Sequence, residues 1–148
     1  MKQLAVLEKV AAALNRAGVA WCLGASGLLY FKGKIDHFHD IDILVMEDHV
    51  PRVKEILLGM GTMAPPNPNS QYKTRHFLEF TIDGIEVDVM GGFVIVCDGV
   101  AHDCSLLPEQ IPETAFLNGE AIPLHDLGLW RQYYQWMGRP DKAAMLKA

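Results

Sequence analysis

Two short apolar stretches of this chain each carry a pair of carboxylates two residues apart. In DIDILV these are Asp40 and Asp42, and in IEVDVM they are Glu86 and Asp88. Residues i and i+2 of a β-strand lie on the same face, so each strand would hold its two acids side by side. Like charges at that spacing are unfavourable unless a positive group lies between them. A fold that contains both strands therefore has to supply a positive group.

The second acidic stretch follows a tight turn. HFLEFTI, an Asp-Gly dipeptide and IEVDVM form the pattern of a β-hairpin, because Asp-Gly favours a two-residue turn. If DIDILV is a neighbour of this hairpin in the sheet, Asp40 and Asp42 converge with either Asp88 or Glu86. A site of three carboxylates is typical of a hard cation, and the oxygen ligands favour Mg²⁺ or Mn²⁺ over zinc.

A turn of small residues precedes the first acidic strand. The stretch WCLGASGLLY predicts a strand, a turn at Gly24, Ala25 and Ser26, and then a helix. Backbone N–H groups at the start of a helix attract anions, and the missing side chain of Gly24 leaves space for a phosphate group. Ser26 can donate its hydroxyl to a phosphate, although serine is also a common helix cap. We therefore expect a phosphate site beside the metal site.

The order of elements predicts one α+β domain over residues 1–148. A helix, strand, helix, strand and helix come first, and Asp48 is the expected cap of the third helix. Mostly antiparallel strands follow, with a hairpin turn at Asn118-Gly119. Helices over about 126–147, capped by Asp126, end the chain. This order favours a mixed, mostly antiparallel sheet with helices packed against it.

Charge and cysteine content restrict the partners and the compartment. The net charge of -5 argues against binding of nucleic acid, which relies on neutralising phosphates. No apolar run reaches the ~18 residues of a membrane span, and Glu8 and Lys9 interrupt the N-terminal apolar stretch that could resemble a signal peptide. Three cysteines without a CxxC pair indicate a reducing compartment. We expect a cytoplasmic protein without membrane contact.

The combined motifs resemble the nucleotidyltransferase superfamily, which has the polymerase-beta-like fold. Members carry a hydrophobic–Gly–(Gly/Ser) motif, then Asp–hydrophobic–(Asp/Glu)–hydrophobic, then a third carboxylate on a later strand. The matching positions are Leu23-Gly24-Ala25-Ser26, Asp40-Ile41-Asp42-Ile43 and Asp88. The stretch from AGVAWCLGASGLLY to DIDILV and the C-terminal HDLGLWRQYYQWMGRPDK look most like small bacterial antibiotic and antitoxin-type (AbiEii-like) members.

This resemblance implies an enzyme that moves a nucleoside monophosphate from an NTP to a hydroxyl of a small molecule or a partner protein. It favours Asp88 over Glu86 as the third carboxylate. The implied metal-binding and catalytic residues are Asp40, Asp42 and Asp88, with Mg²⁺ or Mn²⁺ as the ion. The implied nucleotide-binding residues are Gly24, Ala25, Ser26, His39 and Arg131.

Two departures from the family pattern leave an alternative open. Ala25 stands where relatives have Gly or Ser, and His37 and His39 occupy a loop that often carries Arg or Thr in relatives. A catalytically weak nucleotide-binding module, or a toxin–antitoxin regulator acting through a partner chain, would fit these changes. The short chain also suggests a homodimer in which a second subunit contributes acceptor contacts. Its acidic charge favours a small cationic acceptor such as an aminoglycoside, or a protein, over tRNA.

Overall fold

The computed structural model describes residues 1–66 and 74–146 of the chain. Its helices are Lys2–Arg16 (α1), Ala25–Phe31 (α2), Val50–Leu58 (α3), Leu127–Trp136 (α4) and Pro140–Ala144 (α5). Its strands are Trp21–Gly24 (β1), Ile41–Val45 (β2), Thr62–Met63 (β3), His76–Ile82 (β4), Ile85–Gly91 (β5), Val94–Cys97 (β6), Val100–Asp103 (β7), Glu113–Leu117 (β8) and Glu120–Leu124 (β9). None of the described helices has the length and apolar character that crossing a membrane requires.

Seven of these strands form one mixed sheet in the order β3-β4-β5-β2-β1-β9-β8. Strand β2 is parallel to β5, and β1 is parallel to β9, whereas the other neighbouring pairs are antiparallel. Strands β6 and β7 form a separate hairpin. The arrangement confirms the predicted α+β fold with a mixed, mostly antiparallel sheet.

The two faces of the central strands have different surroundings. Along β2, Ile41, Ile43 and Val45 alternate with Asp42, so one face of the strand is entirely apolar. The amphipathic helix α1 contributes its own buried stripe, which includes Leu7. Each fully buried Leu or Ile stabilises the fold by about 1.5–3 kcal/mol relative to an exposed one. The central sheet is therefore a rigid support for whatever its polar face carries.

Local turn chemistry agrees with the sequence at some positions and differs at others. The Asp126 carboxylate accepts a hydrogen bond of 2.9 Å from the Gly128 N–H, which confirms the predicted cap of α4. Asp48 does not cap α3, so that prediction is wrong. It lies in a 3-10 turn over Glu47–His49, and the cap position of α3 is His49, whose ring accepts a 3.0 Å hydrogen bond from the Ala20 N–H just before β1. The predicted helical end at residue 147 lies outside the described residues.

Candidate active site

The strand register gathers the acidic residues on one face of the sheet. Asp42 on β2 is directly opposite Asp88 on the parallel strand β5. Glu86 lies two residues before Asp88 and therefore on the same face, and Asp40, directly before β2, lies close enough to raise the pKa of both Asp42 and Glu86. Glu79 on β4 is opposite Asp88 from the other side. The prediction that the two acidic stretches are neighbours is confirmed, and five carboxylates come together across three strands.

Burial makes this cluster electrostatically unfavourable. Asp88 is only 9% exposed, and its Oδ1 has no hydrogen-bond partner among the described residues. Burial raises the pKa of Asp88 above its usual range, and the charges of Asp42 and Glu86 raise it further. Burial and the charge of Asp40 likewise raise the pKa of Asp42. A hydrogen bond between Asp42 and Asp88 lowers the pKa of Asp42, so the described residues compensate only part of the lost solvation.

A divalent cation fits this donor set. Leaving a buried polar atom such as Asp88 Oδ1 unpaired costs about 1–3 kcal/mol, more when the group is charged, and an ion would remove that cost. One carboxylate oxygen from each of Glu79, Glu86 and Asp88 lies within 4.8 Å of the others. Ligands of oxygen alone are those of Mg²⁺ or Mn²⁺. This tight group contains the Asp88 of the predicted set together with two glutamates, and Asp42 lies beside it, hydrogen-bonded to Asp88.

The small-residue turn before α2 has a distinctive backbone. Gly24 is the last residue of β1 and lies opposite Asp42. A Cβ at Gly24 would be 2.6 Å from Cζ2 of Trp130, so packing against an indole requires the glycine. Ala25, the first residue of α2, has a φ of 51°, in the left-handed region that favours glycine. Ser26 is not the cap of α2, because Gly24 occupies that position.

Two cavities in the described structure meet at Ser26, Asp42 and Lys142. The first has a volume of about 730 Å³ and extends along the loop between α2 and β2. It is lined by Ser26, Gly33, Lys34, Ile35, Asp36, His37, Phe38, His39, Asp40, Asp42 and Lys142. The second has a volume of about 350 Å³ and extends between β4, β5 and the C-terminal helices. It is lined by Ala25, Ser26, Asp42, Phe77, Asp88, Met90, Phe93, Trp130, Tyr134, Met137, Arg139 and Lys142.

The structure brings together most of the predicted nucleotide-binding residues, but not Arg131. His39 and Ser26 line the first cavity, and Ala25 lines the second. Arg131 is exposed on α4 and borders a different cavity with Gln135, because the buried face of this helix carries its neighbour Trp130.

Three charged residues at the site were not identified from the sequence. Lys142 and Arg139 belong to the C-terminal GRPDK segment and line the second cavity. The basic character of this segment could have indicated a phosphate-binding role. Lys142 forms no ion pair within residues 1–66 and 74–146, so its charge is available in the cavities. Glu79 could have been found from the predicted hairpin, since a two-residue turn places it opposite Asp88.

Comparison with known proteins gives a family and a set of similar folds. The model of the aminoglycoside-2''-adenylyltransferase family matches residues 6–145. No curated protein sequence matches the chain. The crystal structure of TM1012 from Thermotoga maritima, provisionally assigned as a nucleotidyltransferase, is similar at a TM-score of 0.76 and 28% identity, over 98% of this chain and 90% of that one.

Two structures of ANT(2'')-Ia are also similar. The crystal structure of its complex with adenylyl-2''-tobramycin has a TM-score of 0.66 and 12% identity, over 99% of this chain and 88% of that one. The solution structure of this antibiotic-resistance factor has a TM-score of 0.65 and 13% identity, over 98% and 82%. At these identities the likeness shows a shared fold.

Proposed function

The chain belongs to the aminoglycoside-2''-adenylyltransferase family and is a nucleotidyltransferase, and we propose that it transfers a nucleoside monophosphate from an NTP to a hydroxyl of a small molecule in a metal-dependent reaction. The observation that carries the proposal is the opposed pair of Asp42 and Asp88: Asp42 lines both cavities, and the buried Oδ1 of Asp88 has no hydrogen-bond partner in the described part of the chain. A purely structural role would not explain why the fold retains this unfavourable pair.

The carboxylates are the proposed metal ligands. Asp40, Asp42 and Asp88 would hold Mg²⁺ or Mn²⁺, and Glu86 and Glu79 lie close enough to Asp88 to join the ligand set. When bound, such an ion would offset part of the negative charge of these carboxylates and stabilise charge on the phosphoryl oxygens. The cost of burying Asp42 and Asp88 side by side would then be offset by metal binding.

We assign proton removal from the acceptor to Asp88. The acceptor hydroxyl oxygen forms a bond to the α-phosphorus, while the bond from that phosphorus to the oxygen bridging to the β-phosphate breaks. Pyrophosphate leaves with the electron pair of the broken bond, and the hydroxyl proton passes to the Asp88 carboxylate. Burial raises the pKa of this carboxylate in the metal-free protein, and a bound cation would keep it ionised and able to accept the proton.

We assign the triphosphate to the first cavity. The Ser26 hydroxyl can donate to a phosphate oxygen, and the backbone turn at Gly24 and Ala25 positions Ser26 at the junction with Asp42. Lys142 supplies the positive charge there, in the role that the family resemblance gives to Arg131. His39 on the cavity wall remains a predicted phosphate contact.

The acceptor is proposed to be a small molecule. The name of the family, and the adenylyl-2''-tobramycin bound to ANT(2'')-Ia, make a sugar-like hydroxyl compound the first class to consider. The net charge of -5 argues against nucleic acid. A protein acceptor, a homodimer and a cytoplasmic location stay predictions, the last supported by free Cys22, Cys97 and Cys104.

A labelled-nucleotide assay tests the proposal. Each of the four NTPs, labelled at the α-phosphate, is incubated with the protein and Mg²⁺, with and without tobramycin as a trial acceptor. We expect one pyrophosphate to be released for each labelled nucleoside monophosphate that leaves the NTP. The label should then be found in the acceptor adduct or in free nucleoside monophosphate. Nucleotide binding without pyrophosphate would support the regulatory alternative instead, and release of inorganic phosphate alone would identify a different reaction.

A further inference from the structure

A buried histidine connects two parts of the structure at the turn that precedes α2. The backbone N–H of His125 donates a 3.1 Å hydrogen bond to the carbonyl oxygen of Leu23, the residue before Gly24. Through Nδ1, its buried ring accepts a 2.9 Å hydrogen bond from the indole N–H of Trp130. His125 is therefore bonded both to the strand that leads into the turn and to the indole that packs against it.

The two ring partners of His125 determine its tautomer. Burial lowers the pKa of the ring to about 4, so the imidazole is neutral at pH 7. Because Nδ1 accepts the indole N–H, the ring proton lies on Nε2, which is 3.3 Å from the side-chain oxygen of Gln110. That oxygen also accepts a 3.0 Å hydrogen bond from the Leu107 N–H. Both nitrogens of the His125 ring are thereby held in position.

The indole edge that carries this N–H is also the edge that faces the turn. A Cβ at Gly24 would lie 2.6 Å from Cζ2 and 3.0 Å from Cε2 of Trp130. In an indole, Cε2 is bonded to the ring nitrogen, and Cζ2 is bonded to Cε2. A rotation of the ring that breaks the hydrogen bond to His125 therefore also displaces the atoms that pack against Gly24.

The turn is strained, and it positions a side chain of the proposed nucleotide site. Ala25 has a φ of 51°, in the left-handed region that L-residues rarely adopt. Strain of this kind persists only where the surrounding structure fixes the backbone. The contact between Trp130 and Gly24 fixes the backbone one residue before Ala25. The residue after Ala25 is Ser26, which lies with Asp42 where the two cavities meet.

We propose that His125 is a positioning residue for nucleotide binding: by orienting the indole of Trp130, it holds the turn over residues 24–26 in the conformation that contacts the triphosphate. In the described part of the chain His125 lines neither cavity, so it acts through Trp130. The inference rests on the proposed function, because it takes this turn as the phosphate site. A turn that contacts phosphate equally in the bound NTP and in the transition state affects KM and leaves kcat nearly unchanged.

Two substitutions of nearly equal shape separate this hydrogen bond from packing. In His125→Leu and His125→Asn the new side chains both branch at Cγ, and both lose the contact with Gln110. Asparagine keeps an oxygen near the place of Nδ1, where it can accept the indole N–H, whereas leucine leaves that N–H unpaired. The comparison of these two variants therefore reports the hydrogen bond to Trp130 alone.

Calorimetric titration tests the proposal with Mg²⁺ and α,β-methylene-ATP, or the same analogue of whichever NTP the wild type uses. Affinity should fall roughly tenfold in His125→Leu and stay within about threefold of the wild type in His125→Asn. In pyrophosphate release, His125→Leu should raise KM by a similar factor and keep kcat within about threefold. Thermal unfolding confirms that each variant is folded. In a merely structural role the two folded variants would bind the analogue equally.

A Trp130→Phe background and a second histidine supply the controls. Phenylalanine lacks both the indole N–H and the ring atoms nearest Gly24, so Trp130→Phe should also weaken binding roughly tenfold. In that background His125→Leu and His125→Asn should bind the analogue equally. His49→Leu is the matched control, because the His49 ring accepts a 3.0 Å hydrogen bond from the Ala20 N–H away from both cavities. Its affinity should stay within about twofold of the wild type.

Equal affinity of the wild type, His125→Leu and His125→Asn would overturn the proposal, and so would an equal loss in both variants. Should His125→Leu not fold, unchanged affinity of Trp130→Phe would overturn it as well. Failure of the proposed function is seen in the wild type itself. A wild type with neither Mg²⁺-dependent nucleotide binding nor pyrophosphate release overturns both conclusions, whereas an active wild type with equal variants overturns this inference alone.

Discussion

Asp42 on β2 and Asp88 on β5 are directly opposed across a parallel pair of strands, and Asp88 has a buried oxygen without a hydrogen-bond partner among the described residues. Asp42 and Asp88 are 46 residues apart in the chain. Their juxtaposition links the fold to the proposed chemistry, because metal binding would compensate an arrangement that weakens the protein alone.

Removing one of these charges should stabilise the metal-free protein. The pKa of Asp88 is raised in the folded state, so its contribution makes the fold less stable as pH rises above the ordinary aspartate pKa. Asp88→Asn should therefore increase the free energy of unfolding by about 1–3 kcal/mol at pH 8 in EDTA, and by less at pH 5. Urea unfolding measures both values.

The matched control is Asp98→Asn, at an exposed turn residue whose left-handed φ of 51° asparagine tolerates. Its stability should change little and equally at both pH values. If Asp88→Asn were less stable than the wild type at pH 8, the carboxylate would have a favourable partner that this account omits.

Replacing Ala25, the left-handed residue at the start of α2, with glycine should stabilise the protein. Ala25 has a φ of 51°, which costs an L-residue about 1–2 kcal/mol, while glycine adds about 0.5–1 kcal/mol of unfolded-chain entropy. Ala25→Gly should therefore raise the free energy of unfolding by about 0.5–1 kcal/mol, as measured by urea titration. Ala115→Gly, within strand β8, should be destabilising instead. A loss of stability in Ala25→Gly would contradict the assigned backbone strain.

His125 should make the protein sensitive to acid. Its ring is 1% exposed and accepts a 2.9 Å hydrogen bond from the Trp130 indole N–H, and burial lowers its pKa to about 4. A depressed histidine pKa means that the unfolded chain binds the proton first, so stability falls as pH drops from ~6.5 towards ~4. The loss should approach about 3 kcal/mol in that window.

Comparison with His125→Gln isolates this effect, because the acidic pair changes stability in the opposite direction over the same pH range. The difference in unfolding free energy between wild type and variant should shrink from pH 7 to pH 5. A difference that stays constant over that range would show that His125 is not held neutral by burial.

Lys142, rather than Arg131, should control NTP binding. Lys142 lies where both cavities meet, whereas Arg131 is exposed on α4 away from them. Lys142→Met should raise the KM for NTP roughly tenfold, since a charge-assisted contact to phosphate is worth about 1.5–3 kcal/mol, and Lys142→Arg should recover part of it. Arg131→Met should leave KM unchanged. The reverse pattern would restore the role that the family resemblance gives to Arg131.

Local chemistry made several elements predictable. The turns at Asp83-Gly84 and Asn118-Gly119 have positive φ at both residues, as the two-residue hairpin requires, and both were recognised from their dipeptides. The acids of DIDILV and IEVDVM were recognised from their period of two. Their convergence depended on parallel pairing of β2 with β5, which family resemblance supported and local sequence could not establish.

The C-terminal charges were less accessible to prediction because tertiary packing places them. Lys142 reaches the site because its neighbour Ala143, together with Leu146, packs into the core and fixes α5. Arg131 was placed by resemblance, although its position between Trp130 and the exposed Gln132 and Gln135 on α4 already indicated the solvent side. The 3.6-residue periodicity of α4 therefore predicts the exposed position of Arg131, whereas the motif alone placed this residue in the site.

Pyrophosphate release from NTP by the wild type and by Asp42→Asn, each with Mg²⁺ and with EDTA, tests the central claim most directly. Thermal unfolding of the same samples would confirm that the variant is folded. The account predicts Mg²⁺-dependent release by the wild type, abolished by EDTA, and a loss of at least roughly a hundredfold in a folded Asp42→Asn. A variant that releases pyrophosphate as fast as the wild type would contradict the assignment of the opposed aspartates as the metal site.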